Sequence, residues 1–174
     1  MENLFLHGYV KTEPLSVLGK PLAREADGPA QIGSFHQIPA GTGFPNAGIL
    51  AQTWNNALAR EMGRAIAKEA GQFGYSGWYA PAVNLHRSPF DGRNYEYYSE
   101  DPYLTGIAAA NVVSGAQSNH GVGVTVKHFW ANSQEDNRNA ENNVISERTA
   151  REIYLKGFEI GVELGKPMCL MTCY

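Results

Sequence analysis

Segments with helical periodicity alternate with short apolar runs, and this order constrains the fold more than any other feature of the sequence. Helical spacing of apolar residues predicts three helices, over Asn55–Phe73, from Asp101-Pro102 to Gly121, and over Ser146–Gly165. The apolar runs lack strict alternation and cover Ile49–Ala51, Gly77–Leu85, Val122–Phe129 and Met168–Tyr174. Such runs are typical of strands buried on both faces. The alternation therefore predicts βαβ units and a parallel sheet.

The length and composition are those of one globular domain or part of one. The 174 residues are 43% hydrophobic, which is enough to bury a core, and no repeat or low-complexity linker marks an internal boundary. Fourteen Lys and Arg stand against 17 Asp and Glu, and the cations are scattered rather than gathered in a stripe. Nucleic acid is therefore not expected as a partner.

Neither export nor membrane insertion is predicted for the chain as given. The stretch from Met1 to Gly8 has no basic region and too short an apolar run for a signal peptide, and no segment reaches bilayer length. A cytoplasmic location is therefore expected, with loss of an upstream export signal left open. Cys169 and Cys173 would stand roughly 13 Å apart along a strand, too far for a disulfide, so free thiols are expected. No Cys or His spacing predicts a metal site.

Polar residues collect where predicted strands end. These are Asp27, the stretch Asn84–Tyr98, the pair Lys127-His128, and Tyr174. Sites in parallel α/β barrels are built at the C-terminal ends of the strands. We therefore expect these residues to converge on one pocket.

Two of these segments can be explained either structurally or by binding. Asp27-Gly28-Pro29 has the composition of an ordinary turn, but a carboxylate at a strand end can also accept hydrogen bonds from two adjacent sugar hydroxyls. Around Arg93, a salt-bridged loop that ends in a helix cap accounts for Glu100 and Asp101. Such a loop does not account for Arg93 and the neighbouring tyrosines. A planar guanidinium beside aromatic rings instead suits the binding of a polyhydroxylated ring with one apolar face.

The remaining polar segments follow the strand Val122–Phe129. A single His there would most often be a satisfied core residue, whereas the pair Lys127-His128 needs partners to offset its desolvation, and substrate hydroxyls or a carboxylate would serve. The stretch Asn132–Arg138 is equally compatible with a solvent-exposed connection and with a binding loop.

Together, the motifs resemble the β-glucosidase members of glycoside hydrolase family 3. That family carries an Asp-Gly-Pro turn, a Gly-Arg-Asn-x-Glu-Tyr-x-Ser-Glu-Asp-Pro run, a Lys-His-Phe-x-x-Asn-x-Gln-Glu-x-x-Arg run and a Met-x-x-Tyr strand end, in this order. Here they stand at Asp27–Pro29, Gly92–Pro102, Lys127–Arg138 and Met171–Tyr174. Gln31, Trp130 and Ser133 depart from the commoner pattern, which leaves the exact sugar preference open.

The resemblance implies an α/β fold, in which residues 1–174 form about the first five units of a (β/α)8 TIM barrel that is incomplete before closure. It implies a β-glucoside or short oligosaccharide as substrate and no metal or organic cofactor. Asp27 would bind hydroxyls of the non-reducing-end sugar, and Tyr174 would lie close to the nucleophile. The further donors around that sugar would be Arg93, Lys127, His128 and Arg138.

The resemblance also implies a retaining double displacement, which needs two carboxyl groups roughly 5 Å apart. The nucleophilic Asp and the acid/base are expected beyond Tyr174, so no catalytic residue is assigned within the chain and the isolated chain is expected to be inactive. Asp27 and Glu135 are rejected as a substitute pair because no local feature supports them. An unclosed sheet leaves a bare edge, which the rest of the barrel and a second domain, or another chain, would cover.

Two other interpretations remain open. The chain could be a non-catalytic carbohydrate-binding or structural remnant, or part of a family 3 β-xylosidase. An N-acetylglucosaminidase is disfavoured, because those relatives carry Lys-His-Phe-Pro-Gly-His where this chain has Lys127–Asn132.

Overall fold

The computed structural model describes residues 11–33 and 40–173, so the predicted site residue Tyr174 lies outside the described part. Five strands form one curled sheet in the order of the chain: β1 (Lys11–Thr12), β2 (Ala23–Asp27), β3 (Gly77–Tyr79), β4 (Gly123–Phe129) and β5 (Cys169–Thr172). Strands β2 to β5 are parallel, whereas β1 pairs antiparallel with β2. The predicted partial barrel is confirmed, with a short antiparallel strand at its first edge.

Helices cover one face of the sheet. They are α1 (Ala47–Gln52), α2 (Asn56–Gln72), α3 (Pro102–Ala116), α4 (Glu147–Thr149) and α5 (Lys156–Gly165), with a π-helical segment at Ala150–Tyr154 between the last two. Asn55 and Asp101 cap α2 and α3 by accepting bonds from backbone amides of the first turn, and Pro102 opens α3. The predicted helices are confirmed, except that α3 ends at Ala116 rather than at Gly121.

The strand predicted at Ile49–Ala51 is wrong, because these residues belong to α1. The Asn46 side chain caps this helix by accepting a 2.9 Å bond from the Ile49 amide, and the residues that α1 buries, among them Leu50 and Ala51, follow helical spacing. The strand predicted over Gly77–Leu85 ends at Tyr79, because Pro81 has no N–H to continue the ladder.

The core lies between the sheet and the helices. Ala26, Trp78, Val124 and Val126 point from the strands to the helical side and are fully buried there. Side chains alternate along a strand, so Asp27, Tyr79 and Lys127 lie on the opposite, concave face. Helices α2 and α3 approach so closely that a methyl group at Gly115 would overlap the carbonyl oxygen of Arg60.

Candidate functional site

Asp27 and Lys127 form an ion pair on the concave face, across strands that are not neighbours. Asp27 ends β2 and Lys127 lies near the end of β4. The Lys127 Nζ atom is 2.7 Å from Asp27 Oδ1, which also accepts a 2.8 Å bond from the Gly28 amide. The side chains are 2% and 14% exposed, respectively. The carboxylate thus offsets the desolvation of the ammonium group, as buried charges require.

Glu96 joins Lys127 to Arg93, and sequence reasoning did not select it. It ends the 3-10 turn Asn94–Glu96, and its side chain is 2% exposed. Its Oε2 atom lies 3.5 Å from Lys127 Nζ, and its Oε1 atom accepts a hydrogen bond from Arg93 Nε. Burial acts to lower the pKa of Arg93, but the adjacent Glu96 carboxylate raises it overall. Its position three residues after Arg93 in a helical turn was the signal that could have identified it.

Glu135 extends the network to Arg138. Its Oε2 atom accepts a 2.9 Å bond from Arg138 Nη1, and its Oε1 atom lies 3.8 Å from Arg93 Nη1. The Asn132 side-chain amide also donates to Oε1, at 3.1 Å. We call the resulting set the charged cluster; among the described residues it alternates in sign along Asp27, Lys127, Glu96, Arg93, Glu135 and Arg138. Three carboxylates balance three cations, so the cluster has no net charge.

His128 is neutral and buried beside these cations. Burial, followed by the positive charges of Arg93, Lys127 and Arg138, lowers its pKa to about 2. The Arg93 Nη2 atom is 2.7 Å from His128 Nε2, and because a guanidinium has only donors, Nε2 accepts this bond. The ring proton is therefore assigned to Nδ1, which donates to Asn84 Oδ1 at 3.0 Å. Both ring nitrogens are thus engaged within the protein.

Asn84 holds His128 by three contacts. Besides the ring contact, Asn84 Oδ1 accepts a 2.9 Å bond from the His128 amide, and Asn84 Nδ2 donates to the His128 carbonyl at 3.0 Å. Asn84 is itself buried. The amide therefore fixes both the backbone and the ring of His128, and through the ring it orients Arg93.

The tyrosines near Arg93 divide between core and surface. Tyr97 and Tyr98 are buried, and burial raises the pKa of both hydroxyl groups. The Asn132 side-chain amide donates to the Tyr97 hydroxyl at 2.9 Å. Tyr95 is 51% exposed. Of these three rings, Tyr95 is therefore the one that a ligand could reach.

The structure brings five of the six sequence-predicted site residues into one network of hydrogen bonds and ion pairs; the sixth, Tyr174, is outside the described residues. Within residues 11–33 and 40–173, no group of three or more His, Cys, Asp or Glu side chains could hold a metal ion. No helix in that part of the chain is long and apolar enough to cross a bilayer. What the site offers is a set of fixed donors and acceptors suited to a neutral, polyhydroxylated molecule.

Three proteins similar to this chain are β-glucosidases. The β-glucosidase A of Butyrivibrio fibrisolvens is 45% identical over 96% of this chain, which spans 20% of that protein's length. The β-glucosidase 3B of Thermotoga neapolitana, solved in complex with α-D-glucose, superposes with a TM-score of 0.86 at 45% identity, over 94% of this chain and 24% of that one. The Kluyveromyces marxianus β-glucosidase, solved in complex with glucose, gives a TM-score of 0.89 at 40% identity, over 95% of this chain and 20% of that one.

The family assignment rests on a match that covers most of the sequence. The model described as the glycosyl hydrolase family 3 N-terminal domain matches residues 6–173. The chain spans only about a quarter of the relatives' length or less. The match shows that the chain belongs to glycosyl hydrolase family 3, in the region of that family's N-terminal domain.

Proposed function

We propose that this chain supplies the terminal-sugar subsite of a retaining β-glucosidase, which releases a β-D-glucosyl residue from the non-reducing end of its substrate. The charged cluster carries this proposal. It brings carboxylate acceptors and cationic donors together at the ends of β2 and β4 and on the loops that follow β3 and β4. Hydrogen bonds between charged groups and neutral hydroxyls are stronger than those between neutral partners.

Each predicted binding residue has a distinct task in this proposal. Asp27 accepts from two adjacent hydroxyls of the sugar while Lys127 holds the carboxylate in place. Arg93 and Arg138 donate to further hydroxyls. His128 acts mainly by orienting Arg93, because Arg93 Nη2 and Asn84 Oδ1 already engage its ring nitrogens. The glucose complexes of two relatives support a hexose as the ligand.

The double displacement itself is proposed to use carboxyl groups outside this chain. The carboxylates of the charged cluster are ion-paired, and Lys127 and Arg93 together hold both oxygens of Glu96. A nucleophile and an acid/base need different settings, one kept ionised and the other kept protonated. Further barrel strands and a second domain are proposed to pack along β5, where Leu170 and the preceding Met168 are exposed.

Glucose binding by the 174-residue chain tests the proposal. Isothermal titration should detect saturable binding of D-glucose, and Asp27→Asn should weaken it about tenfold or more, because a hydrogen bond to a charged group is worth about 1.5–3 kcal/mol. Arg138→Gln, at a more exposed position, should weaken binding without unfolding the chain. Glu147→Gln, on the exposed first turn of the last helical segment, is the matched control and should bind like wild type.

Circular dichroism of each variant separates loss of the sugar contact from loss of the fold. Wild-type affinity in both folded variants, Asp27→Asn and Arg138→Gln, would contradict the assignment. Turnover of an aryl β-glucoside by the isolated chain that disappears in Asp27→Ala would show that the catalytic groups had been wrongly placed outside it.

A further inference from the structure

The chain beyond β3 continues beside the end of β4, and this brings the side chain of Asn84 against His128. The Lys127 amide donates to the Pro81 carbonyl at 3.0 Å, and the Val83 amide donates to the Lys127 carbonyl at 2.6 Å. Asn84 and His128 are the next residues along these two adjacent segments, although 44 positions of sequence separate them. The motifs assigned to the sugar do not include Asn84.

We propose that Asn84 is a positioning residue of the terminal-sugar subsite, whose neutral side-chain amide keeps Arg93 in place for the sugar as the pH changes, by fixing the tautomer of His128. The proposal rests on the proposed function, in which Arg93 donates to a sugar hydroxyl, and it adds a buried residue that acts through two others. Its basis is the orientation of the Asn84 amide, the hydrogen bonds of the His128 ring and the charges around that ring.

The backbone of His128 fixes the direction in which the Asn84 amide points. A backbone N–H can only donate and a carbonyl can only accept. The 2.9 Å contact with the His128 amide therefore belongs to Asn84 Oδ1, and the 3.0 Å contact with the His128 carbonyl belongs to Asn84 Nδ2. The reverse orientation would place donor against donor and acceptor against acceptor. Asn84 is only 3% exposed, so both mismatches would be buried and unfavourable.

This orientation decides which nitrogen of the His128 ring carries the proton. Asn84 Oδ1 also lies 3.0 Å from His128 Nδ1 and offers only lone pairs, so Nδ1 is the protonated nitrogen. Nε2 is left as the acceptor for Arg93 Nη2, at 2.7 Å. A proton on Nε2 would face a guanidinium that has only donors. The polarity of the His128 backbone is thus relayed through Asn84 and the ring to Arg93.

The charges around the ring oppose its protonation. Three cations face it, from the loop after β3, from β4 and from the loop after β4; they are Arg93, Lys127 and Arg138. The carboxylates of Glu96 and Glu135 are paired with Arg93. Asn84 supplies the acceptor at Nδ1 without a negative charge, whereas a carboxylate in its place would favour the imidazolium form. An asparagine at this position therefore keeps the ring of His128 in one state.

Asn84→Asp tests the importance of a neutral amide. The change preserves the size of the side chain but places a negative charge beside Nδ1, so His128 should take up a proton as the pH falls and Nε2 should no longer accept from Arg93. Isothermal titration with D-glucose is carried out at pH about 7.5 and about 5.0, on either side of the ordinary imidazole pKa. Over this interval the affinity of Asn84→Asp should fall about fivefold or more beyond the fall in wild type, because a hydrogen bond from a charged donor is lost.

Two further chains identify the source of this pH dependence. The additional fall should disappear in Asn84→Asp/His128→Gln, which has no imidazole at this position, and its persistence there would overturn the link through His128. Asn56→Asp, at an exposed asparagine in the first turn of α2, is the matched control and should follow wild type at both pH values.

Nitrogen-15 NMR of the wild-type imidazoles gives a readout that does not depend on the folding of a variant. The His128 ring, assigned by backbone connectivity, should show a protonated Nδ1 and an unprotonated Nε2 throughout the range from about pH 7.5 to about pH 5.0. The Nε2–H tautomer, or protonation of the ring within this range, would overturn the inference. If Asn84→Asp does not fold, this measurement decides.

The outcomes separate the inference from the proposed function on which it rests. A wild-type chain that binds no glucose overturns both. Glucose binding by wild type, together with an unchanged pH dependence in folded Asn84→Asp, overturns the role of Asn84 and leaves the terminal-sugar subsite intact.

Discussion

The burial of neutral His128 predicts a specific loss of stability in mild acid. Its pKa is about 2 in the folded chain, against an ordinary value of about 6.5 in the unfolded chain. The folded state therefore binds fewer protons than the unfolded state between these values. The contribution of neutral His128 to stability is therefore fully present above pH 6.5, the pKa of the imidazole in the unfolded chain. It is lost as the pH falls from there towards the folded pKa of about 2.

The magnitude follows from proton linkage. When the pH falls from about 7.5 to about 5.0, the imidazole is protonated in the unfolded chain but stays neutral in the folded chain. This difference lowers the free energy of unfolding by about 2 kcal/mol. The result does not depend on the exact folded value, because any pKa below about 4 leaves the ring neutral at the lower pH.

Urea unfolding at both pH values measures the loss, with the fluorescence of buried Trp78 as a signal. Other groups also titrate in this range, so the relevant quantity is the difference between wild type and His128→Gln, in which the imidazole is absent. We expect wild type to lose about 2 kcal/mol more than this variant. His120→Gln, at an exposed histidine, is the matched control and should behave as wild type. Equal pH dependence in wild type and His128→Gln would refute a neutral, buried imidazole.

Two further substitutions test the cluster and the helix packing. Glu96→Gln leaves buried Lys127 and half-buried Arg93 without their shared carboxylate and should lower the free energy of unfolding by about 3–5 kcal/mol. Glu100→Gln, at an exposed position, should change it by less than about 0.5 kcal/mol, and similar urea midpoints for both variants would contradict the bridging role. Gly115→Ala should cost roughly 1–3 kcal/mol, because the added methyl group pushes α3 away from Arg60. At Gly161, where nothing beyond the local helix backbone lies within 4 Å of the added methyl group, the same change should be neutral or raise stability by up to about 1 kcal/mol. A Gly115→Ala chain as stable as wild type would show that the two helices can separate freely.

Element order and four of the six residues of the charged cluster could be predicted because both depend on local signals, whereas Glu96 and Glu135 were not selected. Helical spacing, the caps at Asn55 and Asp101, and polar residues at strand ends each occupy a short stretch of chain. The same reasoning failed at Ile49–Ala51, where a six-residue helix carries too few residues for apolar content alone to separate it from a strand. It also treated the tyrosines around Arg93 as one group, although burial places two of them in the interior.

The sequence by itself determined that Asp27, Arg93, Lys127 and His128 belong to one edge of a parallel sheet, because the strand-end rule assigns them there without any knowledge of distances. Only the tertiary structure decided how they are connected. The Asp27–Lys127 contact spans 100 residues of chain and the Asn84–His128 contact spans 44. Hydrogen bonding and desolvation act over a few ångströms of space, so the bridge through Glu96 and the protonation state of His128 arise only when those distant segments meet.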